Sequence, residues 1–272
     1  MTRITHGIVA NSALDLRARA DHRSELTSQL LFGEVVRRLG ADRGGEWWRV
    51  ESVSDGYRGW VRAWGLVGCD AARAADWRRR ATARVNRLET WIRVTAPEMG
   101  PARVRAWWNS RLAPLGGRGV QPTFELPDGR VGTAPRSAFG PARSRVPRFG
   151  PRVESLRGVP YLWGGRTPAG LDCSGLTQLL WLDWGVSLPR DARQQLAACR
   201  PVGGVSQARP GDLLFFRRGS SPVSHVGLWL GRGCFTHARG TVTLGSLERS
   251  NSFYDKKLAD QFFAVGRCLG EA

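Results

Sequence analysis

Between residues 8 and 67 the chain turns back on itself every few residues, and that cadence restricts its fold more than any other feature. Six short runs, Ile8-Val9-Ala10, Leu14 to Arg17, Ser28 to Leu31, Glu34 to Leu39, Trp47 to Val50 and Gly59 to Val61, fall within 60 residues. Each is too short for an ordinary helix and long enough for a strand. Strands so closely spaced predict a small β-barrel over residues 1–70.

A fragment of the same layout recurs further on. Asp128-Gly129-Arg130-Val131-Gly132 repeats Asp55-Gly56-Tyr57-Arg58-Gly59 at an offset of 73, with Asp, Gly and Gly in register. This predicts a second, degenerate barrel unit over 71–140 with a helical or irregular lead-in. Trp77, Ala81, Val85, Leu88 and Ile92 also fall at near-helical spacing, so an amphipathic helix over 71–93 is the competing expectation. A run rich in Pro, Arg and Gly marks a linker over 141–150, and residues 151–272 form the last domain.

The net charge of +18 and a pI near 11.4 would ordinarily suggest a nucleic-acid partner. Yet 39 of the 41 cationic residues are Arg, spread from Arg3 to Arg267 and not gathered in an arm, which is what GC-rich coding produces. No nucleic-acid partner is expected. The N-terminal residues contain no apolar signal segment and no later stretch approaches a membrane span, so a cytoplasmic protein without membrane contact is expected; a monomer is a separate expectation. The five cysteines show no Cys-x-x-Cys spacing, which argues against a metal site, and no cofactor is expected.

Chemistry concentrates in residues 158–240. Val159-Pro160-Tyr161-Leu162-Trp163-Gly164-Gly165 leads into Leu171-Asp172-Cys173-Ser174-Gly175. Apolar residues at 176, 179, 180 and 184 then follow a helical rhythm, with Gly185 as the stop. Cys173 is therefore placed at a helix N-terminus, where unpaired N–H groups would lower its thiol pKa from the free value of about 8.5. Further on, Pro210-Gly211-Asp212-Leu213 feeds a strand, followed by Ser224-His225-Val226-Gly227 and then Cys234-Phe235-Thr236-His237. If Leu230 pairs with Cys234 across a three-residue turn, His225 and His237 become diagonal neighbours on one face, roughly 7–8 Å apart. A cysteine at a helix start beside two histidines is a nucleophile, a base and an orienting group.

Asp-Cys-Ser-Gly, Pro-Gly-Asp-Leu, Ser-His-Val-Gly and a second His, in this order, resemble the NlpC/p60 family of papain-like cysteine peptidases. Leu30 to Glu34 and Gly56-Tyr57-Arg58-Gly59-Trp60-Val61 resemble the bacterial SH3-like domains attached to cell-wall enzymes. The resemblance implies an α+β chain: all-β SH3-like barrels, then a papain-like domain whose Cys-bearing helix packs on an antiparallel sheet carrying the histidines. It implies Cys173 as nucleophile, His225 as base, His237 as its orienting residue and Tyr161 as a contributor to the oxyanion site. Members of this layout resemble murein-recycling dipeptidyl-peptidases, which cleave γ-D-glutamyl-diamino acid bonds in short murein peptides with a free N-terminal L-Ala. By that likeness Trp163, Asp172 and Ser174 surround the free amine, Tyr57 is the barrel's contribution, and Arg190-Asp191 matches a substrate-binding pair whose usual following Ser is Ala192 here. Arg190 is a candidate for the substrate's carboxylates.

Blander roles compete. Asp172 can be a helix N-cap, Trp163 core, and Tyr57 hairpin packing, while Cys69, Cys199, Cys234 and Cys268 read as small buried residues. Competing functions are a secreted endopeptidase acting on intact wall, an acyltransferase on the same scaffold, and a non-enzymatic wall-binding protein.

Overall fold

In the computed structural model, residues 3–95, 102–116, 120–140 and 149–268 are described. The chain divides into two compact units, Met1–Ala142 and Arg143–Ala272. Most of the expected linker, 141–148, lies outside the described residues.

All six expected strands of the first barrel are present: His6–Val9 (β1), Ala13–Arg17 (β2), Leu26–Leu31 (β3), Val35–Ala41 (β4), Trp47–Ser52 (β5) and Arg58–Arg62 (β6). A seventh, Leu66–Cys69 (β7), was not foreseen; it is short, contains Gly68, and pairs with β1. The strand order is β3-β2-β6-β5-β4-β1-β7 around a core that includes Val9, Leu16, Val36, Val50 and Val61.

Helix α1, Ala71–Arg80, follows, capped by Asp70. The expectation of one helix over 71–93 is corrected at its second half: Ala83–Val85 (β8) and Glu89–Val94 (β9) are strands, and β9 shows the alternating burial a strand imposes and a helix does not. They open a second sheet with Arg103–Trp107 (β10), Arg111–Gly116 (β11), Thr123–Glu125 (β12), Val131–Thr133 (β13) and Phe139–Gly140 (β14). Its order is β10-β9-β13-β12-β11-β8-β14, the first sheet's order with every strand seven places on. The repeated glycines explain the 73-residue echo. A Cβ on Gly59 would meet Leu16 Cγ at 2.7 Å and one on Gly132 would meet Ile92 Cγ2 at 2.5 Å, so both sheets need a bare backbone where the sixth strand crosses the second.

The second unit opens with Gly150–Leu156 (α2) and the two-residue strands Arg166–Thr167 (β15) and Gly170–Leu171 (β16). Next come Cys173–Leu182 (α3), Ala192–Ala198 (α4), Arg200–Val202 (β17), Leu213–Phe216 (β18), His225–Gly231 (β19), Cys234–Arg239 (β20), Thr241–Ser246 (β21), Lys256–Gln261 (α5) and Phe262–Arg267 (β22). One six-stranded antiparallel sheet, β17-β22-β18-β19-β20-β21, forms its base. Nearly all of α3 is buried, and it packs on β19 and β20. Among the described residues no helix is long and apolar enough to cross a membrane.

Candidate active site

Cys173 is the first residue of α3, and Asp172 is its N-cap, accepting the Gly175 N–H at 2.7 Å. Because α3 lies on β19, the buried sulfur meets the backbone N–H of Val226, the residue next to His225. The β19–β20 hairpin then supplies the second histidine. Its turn differs from expectation: Gly231 pairs with Cys234 across the two-residue turn Arg232-Gly233, and Leu230 becomes a bulge. Arg232 and Gly233 both take positive φ, 53° and 74°, the geometry of a tight hairpin turn. Beyond the bulge, Trp229 faces Phe235 and Leu228 faces Thr236, so the register still brings the two histidines together. His225 Nε2 lies 3.0 Å from His237 Nδ1. With Nε2–H donating to His237, Nδ1 of His225 is the ring nitrogen that keeps its lone pair.

The electrostatics run against the sequence expectation of a lowered thiol pKa. Burial pushes the Cys173 thiol up to about 12, helped by the neighbouring Asp172 carboxylate; the Val226 and Ser174 N–H groups and Arg190 oppose this and lose. The helix terminus cannot prevail, because its Gly175 N–H is already bound to Asp172. His225 is driven down to about 3, by burial first and His237 second, and burial takes His237 down to about 4. The resting pair is a neutral thiol and a neutral imidazole. Tyr161 bridges to Leu171, and its phenol is raised to about 12 by burial and then by the charge of Cys173.

Asp172, Ser174 and Arg190 form one buried cluster. Arg190 grips Asp172 with both terminal nitrogens, at 3.0 and 2.6 Å, and donates to Ser174 Oγ at 2.9 Å. Asp172 also accepts from Gly164 N–H at 2.9 Å, which fixes the turn that follows Trp163. Trp163 itself is 60% exposed, so it is not core. Asp191 begins α4, with the Gln194 side chain returning to its N–H at 3.2 Å, and Ala192 is buried behind it. Tyr57 belongs to the first unit, where it packs against the barrel core and its N–H donates to Asp55.

Sequence reasoning missed the buried polar support behind α3. Thr177 donates to Gln195 at 2.8 Å, Gln195 donates to the Ser174 carbonyl at 3.0 Å, and Arg166 bonds Gln178. Polar residues inside an otherwise apolar helix face were the available signal. Of the remaining cysteines, Cys199 and Cys268 lie with their sulfurs 3.9 Å apart, at thiol hydrogen-bond distance and not joined as a disulfide. Among the described residues no group of three or more His, Cys, Asp and Glu side chains could hold a metal ion.

A cysteine opening a helix that rests on an antiparallel sheet, with a histidine pair on that sheet, defines the papain-like class of cysteine peptidases. Within it, residues 158–262 match the NlpC/P60 family and residues 16–66 match the bacterial dipeptidyl-peptidase SH3 domain, so the chain carries an NlpC/P60 domain behind an SH3 domain of that kind. It is 38% identical over 117 residues to a γ-D-glutamyl-L-lysine dipeptidyl-peptidase of Bacillus subtilis, covering 42% of this chain and 38% of that protein. It is 44% identical over 82 residues to a probable endopeptidase p60 of Listeria innocua, covering 30% of this chain and 17% of that protein. The chain thus matches well under half the length of either relative. The fold is that of an NlpC/P60 family protein from Bacillus cereus, with a TM-score of 0.86 at 20% identity over 98% of this chain and 100% of that one.

Proposed function

We propose that this chain hydrolyses the γ-D-glutamyl to diamino acid bond of murein peptides, as a dipeptidyl-peptidase of murein recycling in the cytoplasm. The observation that carries the chemistry is the contact of His225 Nε2 with His237 Nδ1 on the sheet under the helix that Cys173 opens, which supports His225 as the base and His237 as its orienting residue. Cys173 Sγ attacks the γ-glutamyl carbonyl carbon as its proton passes to His225 Nδ1. The oxyanion is received by the Cys173 N–H and the Tyr161 hydroxyl. The C–N bond then breaks, the diamino acid leaves with the proton from His225, and a thioester remains. Water, deprotonated by His225, releases the acyl dipeptide and restores the thiol. The neutral resting pair makes proton transfer part of the attack itself.

Bond specificity in this reading is supported by the name of the Bacillus subtilis relative and by the SH3 domain match. In the same reading residues 71–140 are a second SH3-like unit, an assignment supported by the shared strand order. A second reading, endopeptidase action on longer wall fragments, is favoured by one feature. The Asp172 carboxylate is already bonded to Arg190, Ser174, Gly175 and Gly164, so an incoming ammonium must compete for it.

Turnover of L-Ala-γ-D-Glu-L-Lys with free and acetylated N-termini tests both. Cys173→Ala should lower kcat/KM by roughly 10⁴-fold or more, and acetylation of the peptide should abolish turnover by the wild type. Wild-type-like cleavage by Cys173→Ala would refute the mechanism; equal cleavage of both peptides would leave the endopeptidase reading.

A further inference from the structure

Arg190 cannot be the general receptor for substrate carboxylates, because it is 2% exposed and consumed by Asp172 and Ser174. The positive charge near the reaction centre lies elsewhere. A cavity of about 530 Å³ opens beside His225, lined among others by Ser221, Ser224, Arg218, Arg239 and Lys257, and no carboxylate lines it. Arg239 is neutralised by Asp255 at 2.7 Å. Lys256, next in sequence, is likewise paired, with Asp260 at 2.7 Å. Arg218 and Lys257 are exposed and have no ion pair among the described residues. A second cavity on the His237 side shares Arg239 and Lys257, and there the one acid is Asp255, already committed to Arg239.

His225 must hand its proton to the departing amine, so the leaving group lies on the side of the nucleophile to which His225 belongs. The cavity that His225 itself lines is the candidate for the departing residue. Two cations without partners in a cavity without an acid favour an anion by direct attraction and by relief of their mutual repulsion. The serine hydroxyls beside them can donate to its oxygens.

We propose that Arg218 and Lys257 form a carboxylate subsite for the leaving residue, which selects peptides ending in a free carboxylate at the diamino acid. The proposal rests on the peptidase reading above for which bond is cut, but the subsite itself is measurable without turnover. L-Ala-γ-D-Glu-L-Lys and its C-terminal amide are compared in two assays: kcat/KM with the wild type, and calorimetric binding to Cys173→Ala protein. Both are repeated with the added pair Arg218→Gln and Lys257→Gln, which are exposed and whose melting temperature should match the parent. The acid should be favoured about tenfold in both assays, mainly through KM, and the paired substitution should erase that preference while leaving the amide unaffected. Equal binding of acid and amide to Cys173→Ala protein, or a preference that survives the paired substitution, overturns the subsite. Absence of turnover together with a tenfold binding preference sustains the subsite and overturns the bond assignment instead.

Discussion

Cys173 occupies a helix N-terminus, and position alone predicts a reactive thiolate; its surroundings reverse that prediction. Cys173 is 7% exposed, the charge of the Asp172 carboxylate acts on it, and the helix N–H that could have turned to it is taken by the cap. With the thiol raised to about 12 and His225 lowered to about 3, an ion pair is the less stable form at neutral pH. The sign for reactivity follows directly. An acid with a raised pKa exposes its nucleophilic anion in a fraction that grows with pH until that pKa is reached. Iodoacetamide labelling of Cys173, read by mass spectrometry of its peptide, should therefore accelerate from pH 7 to pH 10 by about tenfold per unit. A rate already flat from pH 5 upward would show a preformed thiolate-imidazolium pair and refute the neutral one.

Helices α3 and α4 are stapled at their starts. Asp172 caps α3, Arg190 immediately precedes the residue that caps α4, and the two side chains close a bidentate ion pair with both nearly excluded from water. Replacing such a pair by apolar residues can be neutral, whereas removing one partner strands a buried charge and costs about 3–5 kcal/mol. Arg190→Met should thus lower urea-unfolding stability by roughly that amount, and adding Asp172→Asn should recover part of the loss. A change under about 0.5 kcal/mol for Arg190→Met would show that the pair is not a staple. This pairing was hidden in the sequence, because the partners are 18 positions apart and follow no period. What was legible were features with a local rule: six strands of the first barrel from their turns, α3 from its apolar rhythm, and the histidine register from strand alternation. The bulge at Leu230 was not legible, since it depends on Arg232 accepting a positive φ that its residue type does not advertise. The β8–β9 segment misled for a related reason: spacings of three and four are shared by a helix and by two short strands with a turn between them.

The charge of the whole molecule now has a structural setting. Much of the arginine is used locally, by stacking as well as pairing: Arg38 lies 4.5 Å above Trp48, and Arg105 lies within 5 Å of both Trp91 and Trp107. Others bind carboxylates between elements, Arg80 of α1 with Glu125 of β12 and Arg37 with Glu51 on the neighbouring strand, while Arg267 holds Asp212 at the turn before β18. These contacts consume acids one by one and cannot consume an excess of +18. Two opposing terms therefore respond to salt. Exposed ion pairs weaken as they are screened, each worth about 0–1 kcal/mol at most. The repulsion among the surplus cations weakens too, and it acts over the whole surface and grows with the square of the excess. The second term should win. Raising sodium chloride from about 0.02 to 0.5 M, where the screening length falls from roughly 20 to 4 Å, should raise the apparent Tm by a few degrees. A fall in Tm over the same range, measured by circular dichroism at constant pH, would mean that the local ion pairs outweigh the surplus, and that the arginines are placed for stability to a degree their scatter along the chain does not suggest.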